Sequence, residues 1–114
     1  MIHELEGRPD RSFADEIAEA RAVQATGNVG RARTCARRAV GMMLREKIGI
    51  GQDPRHYAPT FIAGLRKLAV DSAFPEEVRV AAGRLSDRSQ PDRTSASENP
   101  VQDAEIILRY FGVR

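Results

Sequence analysis

The sequence predicts an all-α domain, an up-and-down antiparallel bundle of about five helices, and three observations carry that prediction. Val, Ile and Leu recur at spacings of three and four rather than in alternation, which is the period of a helix face and not of a strand. The apolar residues, 41% of the chain, are rich in Ala, with no Trp and an aromatic share of 5%. Such a core suits helices in close approach better than a sandwich of bulky rings. Pro, Gly and Asn also divide the 114 residues into periodic stretches with mostly short connections, which favour antiparallel neighbours. A chain of this length supports one hydrophobic core, so residues 12–114 are read as a single domain after a flexible lead-in over residues 1–11.

The first helix is expected to start at Ser12, whose hydroxyl can accept a backbone N–H, with Asp15 and Glu16 opposing the positive end of the helix dipole. Phe13, Ile17 and Ala20 form its apolar face, and Thr26-Gly27-Asn28 stops it and caps the next. The second helix, Val29 to about Ile48, is the longest stretch free of Pro. Ala32, Ala36, Ala39 and Met43 mark one face, and Cys35, Val40, Met42 and Leu44 widen it. An arc so broad and so small in side chains predicts a central helix with neighbours on several sides. Gly49-Ile50-Gly51-Gln52-Asp53-Pro54 breaks it, and Pro59 keeps the following connection extended.

A third helix over about Thr60 to Val70 should bury Phe61, Leu65 and Leu68. A fourth should open on Pro75, with Glu76 and Glu77 in its first turn and Val78, Ala81, Ala82 and Leu85 inward. Residues 86–98 carry Ser, Asp, Arg and Pro without an apolar period and read as a long polar loop. Asn99, Pro100 and Gln102 supply a cap, a first-turn proline and a capping-box partner for the fifth helix, which buries Val101, Ala104, Leu108 and Phe111 and stops at Gly112. The helix pairs do not recur, which argues against a solenoid.

Composition narrows function. No stretch reaches the roughly 18 apolar residues of a membrane span, and the N-terminal residues lack a basic-then-apolar leader, so a cytoplasmic location is expected. A lone Cys35 forms no internal disulfide and reads as a small buried hydrophobe. Net charge is only +2 and the sequence pI is about 9.1, too near balance to announce a nucleic-acid binder by itself. Every basic residue except Lys47 and Lys67 is Arg, which suits forked recognition of phosphate as well as surface ion pairs.

The stretch Gly30-Arg31-Ala32-Arg33-Thr34-Cys35-Ala36-Arg37-Arg38-Ala39, the Gly27-Asn28 turn and the closing Asn99-Pro100-Val101-Gln102-Asp103-Ala104 resemble prokaryotic HEPN-like domains, from about Phe13 to Phe111. The resemblance implies a helical bundle, often a homodimer. Its functions include RNA cleavage, toxin activity beside a nucleotidyltransferase partner, and non-catalytic binding of nucleotides or RNA. The chain departs from the family at one place. HEPN ribonucleases carry an Arg, four to six residues, then a His, whereas the histidines here are His3, with no Arg before it, and His56, preceded by Arg55 and Arg45. The resemblance therefore lends fold and partner class without the nuclease chemistry.

Several residues invite a functional reading beside a structural one. On a helical wheel Arg31, Arg38 and Arg45 fall along one edge of the second helix's apolar arc, with Arg33 and Arg37 along the other. Arg33, Arg37 and Arg38 are the candidate phosphate contacts, and the alternative is stems flanking the core with heads paired to acids of adjacent helices. Asp103, one turn beyond Asn99, is a candidate ligand residue, the alternative being favourable placement in a first turn. Glu46 sits near the apolar arc and is expected to be buried, with Arg109 a plausible partner. His56 reads as an exposed loop residue. No cofactor motif, metal-ligand spacing, nucleophile with a base, or aromatic ladder appears. The expectation is a non-catalytic domain that binds a nucleotide, RNA or a partner protein in a toxin-antitoxin, stress or defence setting. A homodimeric interaction module is the rival, and a divergent ribonuclease using His56 the third reading.

Overall fold

The computed structural model describes residues 12–87 and 98–112. The expected lead-in and residues 88–97 of the expected polar loop lie outside the described residues. The order is α1 (Phe13–Ala25), α2 (Val29–Lys47), α3 (Phe61–Val70), α4 (Glu76–Ser86) and α5 (Pro100–Tyr110), an all-helical bundle with no strand among the described residues.

Local chemistry sets each start. Ser12 and Asp15 form a reciprocal capping box: the Asp15 amide donates to Ser12 Oγ at 3.2 Å and the Ser12 amide to Asp15 Oδ2 at 3.0 Å. Asn28, Thr60 and Asn99 accept from the amides of Arg31, Ala63 and Gln102. Pro75 stands one place earlier than expected, as the cap of α4 rather than its first residue, and makes no side-chain cap bond. At the other end α4 continues one residue into the predicted loop, where buried Ser86 donates its hydroxyl to the Gly83 carbonyl at 3.2 Å.

α2 packs against all four other helices. Ala32, Ala36, Ala39, Val40, Met43 and Leu44 are wholly shielded from solvent. They meet Leu65, Leu68, Leu85 and Ile107, each fully buried and each contributing about 1.5–3 kcal/mol of apolar transfer. Direction is read from side-chain pairs: Arg31 reaches Glu19 while Arg38 reaches Glu16, so α2 climbs as α1 descends. Gln24 of α1 ties down the start of α5, donating to Asn99 Oδ1 at 3.0 Å and accepting from the Val101 amide at 3.3 Å.

The connection between α2 and α3 is a closed loop. Gly51 donates to the Ala58 carbonyl and Tyr57 to that of Gly49, at 3.0 and 2.8 Å, around an isolated Ile50–Ala58 bridge. Gly49 adopts φ +89° beneath the His56 ring, a position suited to glycine both by backbone angle and by lack of space for a side chain. His56 itself is exposed.

The expectation for Glu46 is corrected. Arg45, Glu46 and Lys47 are all exposed, since the last turn of α2 is buried through Leu44 alone, and Arg109 faces Glu105 at 3.6 Å instead. Among the described residues the buried carboxylates are Glu16 and Asp103.

Candidate functional site

Five arginines of α2 meet different neighbours, and the neighbour decides what each can do. Toward α1, Arg31 Nη2 bonds Glu19 Oε2 at 2.7 Å and Arg38 Nη1 bonds Glu16 Oε1 at 3.3 Å. Cys35 Sγ and carboxylate oxygens of Glu16 and Glu19 lie within 4.8 Å of one another, a cluster that spacing along the chain does not reveal. The two guanidiniums offset the two carboxylates, while burial, then Glu19 and Glu16, push the Cys35 thiol above its ordinary pKa. A neutral thiol between paired carboxylates is a closed ion cluster rather than an open cation site.

Toward α3 the surface opens. A groove of about 380 Å³ runs between the helices, lined by Thr34, Arg37 and Arg38 of α2 and by Phe61, Ile62 and Leu65 of α3. α3 carries Arg66 and Lys67 and no acidic residue, so unlike α1 it brings no carboxylate to the arginines opposite. Its register on α2 is set at Gly41, where a Cβ would fall closer than 3.0 Å to the Phe61 side chain. The absence of that carbon lets Phe61 sit against the α2 backbone. Arg45 covers Phe61 from above, its guanidinium carbon 5.5 Å from the ring centroid.

Arg37 also donates through Nε to the Leu85 carbonyl and through Nη2 to that of Asp87 at 3.5 Å. It thereby serves carbonyls at the C-terminal end of α4, where a cation also opposes the helix dipole. Arg38 is half exposed and spans the closed cluster and the groove.

Of the four candidate residues, the structure brings Arg37 and Arg38 together at the groove. Arg33 does not line it; its Nε is buried without a hydrogen-bond partner among the described residues. Asp103 lies elsewhere, between α4 and α5, where Arg84 grips it through Nε at 3.1 and 3.2 Å and Nη2 at 2.8 Å. That carboxylate raises the Arg84 pKa.

Sequence reasoning assigned Phe61 to the core and gave no role to Ile62. Both are only half buried, and the glycine at 41 was the signal that a ring approaches α2 closely. A second feature also escaped it. Tyr57, Phe74, Tyr110 and Phe111 gather at one end of the bundle, with Phe74 centroids 5.7 Å from both Tyr110 and Phe111 and 6.4 Å from Tyr57. Compared with protein families, curated proteins and solved structures, the chain finds no match.

Proposed function

We propose that this protein is a non-catalytic binding module whose α2–α3 groove holds the phosphate of a nucleotide or of a short stretch of RNA. One observation carries the reading: Arg37 and Arg38 flank an apolar floor of Phe61, Ile62 and Leu65 opposite a helix without acids. Guanidiniums suit phosphate oxygens through paired N–H bonds, and an apolar floor suits the less polar remainder of such a ligand. The groove also falls within the usual size range of small-ligand sites. The HEPN-like resemblance supports this partner class, and extends it to a nucleotidyltransferase-type protein in a toxin-antitoxin setting.

Alanine scanning of the arginines confuses binding with folding, because Arg37 and Arg38 also hold α4 and Glu16. Thr34→Glu is the cleaner probe, since Thr34 is exposed on the rim and its hydroxyl only reaches the Gly30 carbonyl at 3.4 Å. A nucleoside monophosphate and a single-stranded RNA oligonucleotide are titrated into the full chain at about 50 and 200 mM salt. Affinity should fall with salt, and Thr34→Glu should weaken it at least about tenfold with an unchanged melting temperature. Binding without a salt slope, or indifferent to Thr34→Glu, overturns the reading.

The aromatic end favours a second reading, a homodimer. Tyr110 is exposed beside half-buried Phe74 and Phe111, and Val70, at the end of α3, is 78% exposed. Aromatic side chains with one wet face are the type that anchors protein interfaces. Light scattering at micromolar concentration should then give twice the chain mass, reverting to one on Tyr110→Glu. A monomer throughout removes this reading.

A further inference from the structure

Between α1 and α5 lies a smaller and more enclosed pocket of about 140 Å³, lined by Phe13, Ala14, Ile17, Arg21, Glu105, Leu108 and Arg109. Its walls and its mouth differ in kind. The walls are the apolar residues Phe13, Ala14, Ile17 and Leu108. At the mouth two guanidiniums converge on one carboxylate: Arg21 donates through Nε and Nη2 to Glu105 Oε2 at 3.0 and 2.7 Å, and Arg109 stands 3.6 Å from Oε1.

Three charges there sum to one net positive. Both Arg21 hydrogen bonds fall on a single oxygen, so this guanidinium has further N–H donors. The Arg109 guanidinium, on a side chain 67% exposed, makes no hydrogen bond to any described residue. The pair with Glu105 shows that a carboxylate fits between these two residues. A pocket of this size accommodates an apolar body of about six heavy atoms, close to the roughly 150 Å³ cavity known to hold benzene.

The geometry points to a binding site for a small monocarboxylate with an apolar tail, its tail among Phe13, Ile17 and Leu108 and its carboxylate shared between Arg21 and Arg109. No bond is made or broken. The site needs nothing from the α2–α3 groove, so it stands or falls separately from the phosphate reading.

The test uses the full chain, followed by amide NMR shifts during titration with hexanoate and, separately, with hexanamide, which has the same tail and no charge. Hexanoate should move the amides of the first turns of α1 and of Glu105 to Arg109 along one saturating curve, and hexanamide should bind at least about tenfold more weakly. Arg109→Gln should weaken hexanoate by a similar factor. Glu105→Gln should tighten it, since a competing carboxylate is removed. Ala14→Leu should abolish binding by filling the pocket with no change of charge, and Thr34→Glu should leave it unaltered. Equal affinity for acid and amide, shifts confined to the α2–α3 groove, or no saturating shift overturns the inference. Weaker hexanoate binding after Glu105→Gln does so as well, and the spectra of each variant show directly whether it is folded.

Discussion

α2 presents arginines to two neighbours, and the two seams turn out as opposites. Against α1, with Asp15, Glu16 and Glu19, Arg31 and Arg38 are drawn into ion pairs around a buried thiol and the seam closes. Against α3, which has no acid, Arg37 and Arg38 border an open groove over Phe61, Ile62 and Leu65. The arginines are the same residue type on the same helix. Their fate is settled by the composition of the helix opposite, so an arginine-rich face is informative only together with its neighbour's acids.

The largest effect that should sharpen this contrast is Arg38→Ala. It strips a guanidinium from Glu16, whose side chain is 3% exposed. Breaking a buried pair costs roughly 3–5 kcal/mol. Arg38 is half exposed and solvent screens its side of the pair, so about 2 kcal/mol is expected in urea denaturation. Adding Glu16→Gln should recover part of the loss, because no buried charge is then left behind.

Gly41→Ala comes next and probes the open seam. Ala in a helix interior is favoured over Gly by about 1 kcal/mol, but the new methyl meets Phe61, and overpacking costs about 1–3 kcal/mol. A net loss of about 1 kcal/mol is expected, together with weaker binding in the groove as the ring shifts. In a Phe61→Ala background the same change should become stabilising. If it stays destabilising, Phe61 does not seat on α2 as described.

pH separates the seams more gently. Burial, then the Asp71 carboxylate that accepts its hydroxyl at 2.7 Å, raises the Tyr57 pKa, and the closed seam raises that of Cys35. Both groups hold their protons longer folded than unfolded. Their contribution is therefore complete below the unfolded values, near pH 8.5 for the thiol and near pH 10 for the phenol, and is lost as pH rises through the folded ones. The urea midpoint should decline above about pH 9, and Tyr57→Phe should flatten only the part above about pH 10. Arg31→Ala should have the smallest effect, leaving the urea midpoint almost unchanged, because its pair with Glu19 is at the surface.

The helices were legible in the sequence because their signals are local: Ser12 with Asp15, Asn28 and Asn99 as caps, and the small-residue arc of α2 each lie within one or two turns. The candidate site was not, because its partners are far apart along the chain. Arg38 meets Glu16 across 22 residues and Gln24 meets Asn99 across 75, and no periodicity encodes such pairs. Asp103 was noticed for its place in a first turn, while Arg84, which holds it, sits on another helix. Glu46 lies near the apolar arc of the helical wheel and is nonetheless exposed, because the last turn of α2 is buried through Leu44 alone. Arg37 and Arg38, placed on opposite edges of the helical wheel, both line the groove, and Phe61, expected in the core, is half buried, since a half-exposed aromatic and a core aromatic share the same spacing.

The acid-free face of α3 has a kinetic consequence. For any anion that binds in the groove, attraction to the arginines acts before contact, over about the 8–10 Å that physiological salt leaves unscreened. The rate of arrival should thus fall as ionic strength rises. The rate of departure depends on the guanidinium–anion hydrogen bonds together with the apolar floor of Phe61, Ile62 and Leu65, which salt barely touches. For such an anion, changes to the α2 arginines should alter encounter as well as residence time, whereas changes to the floor on α3 should alter residence time alone.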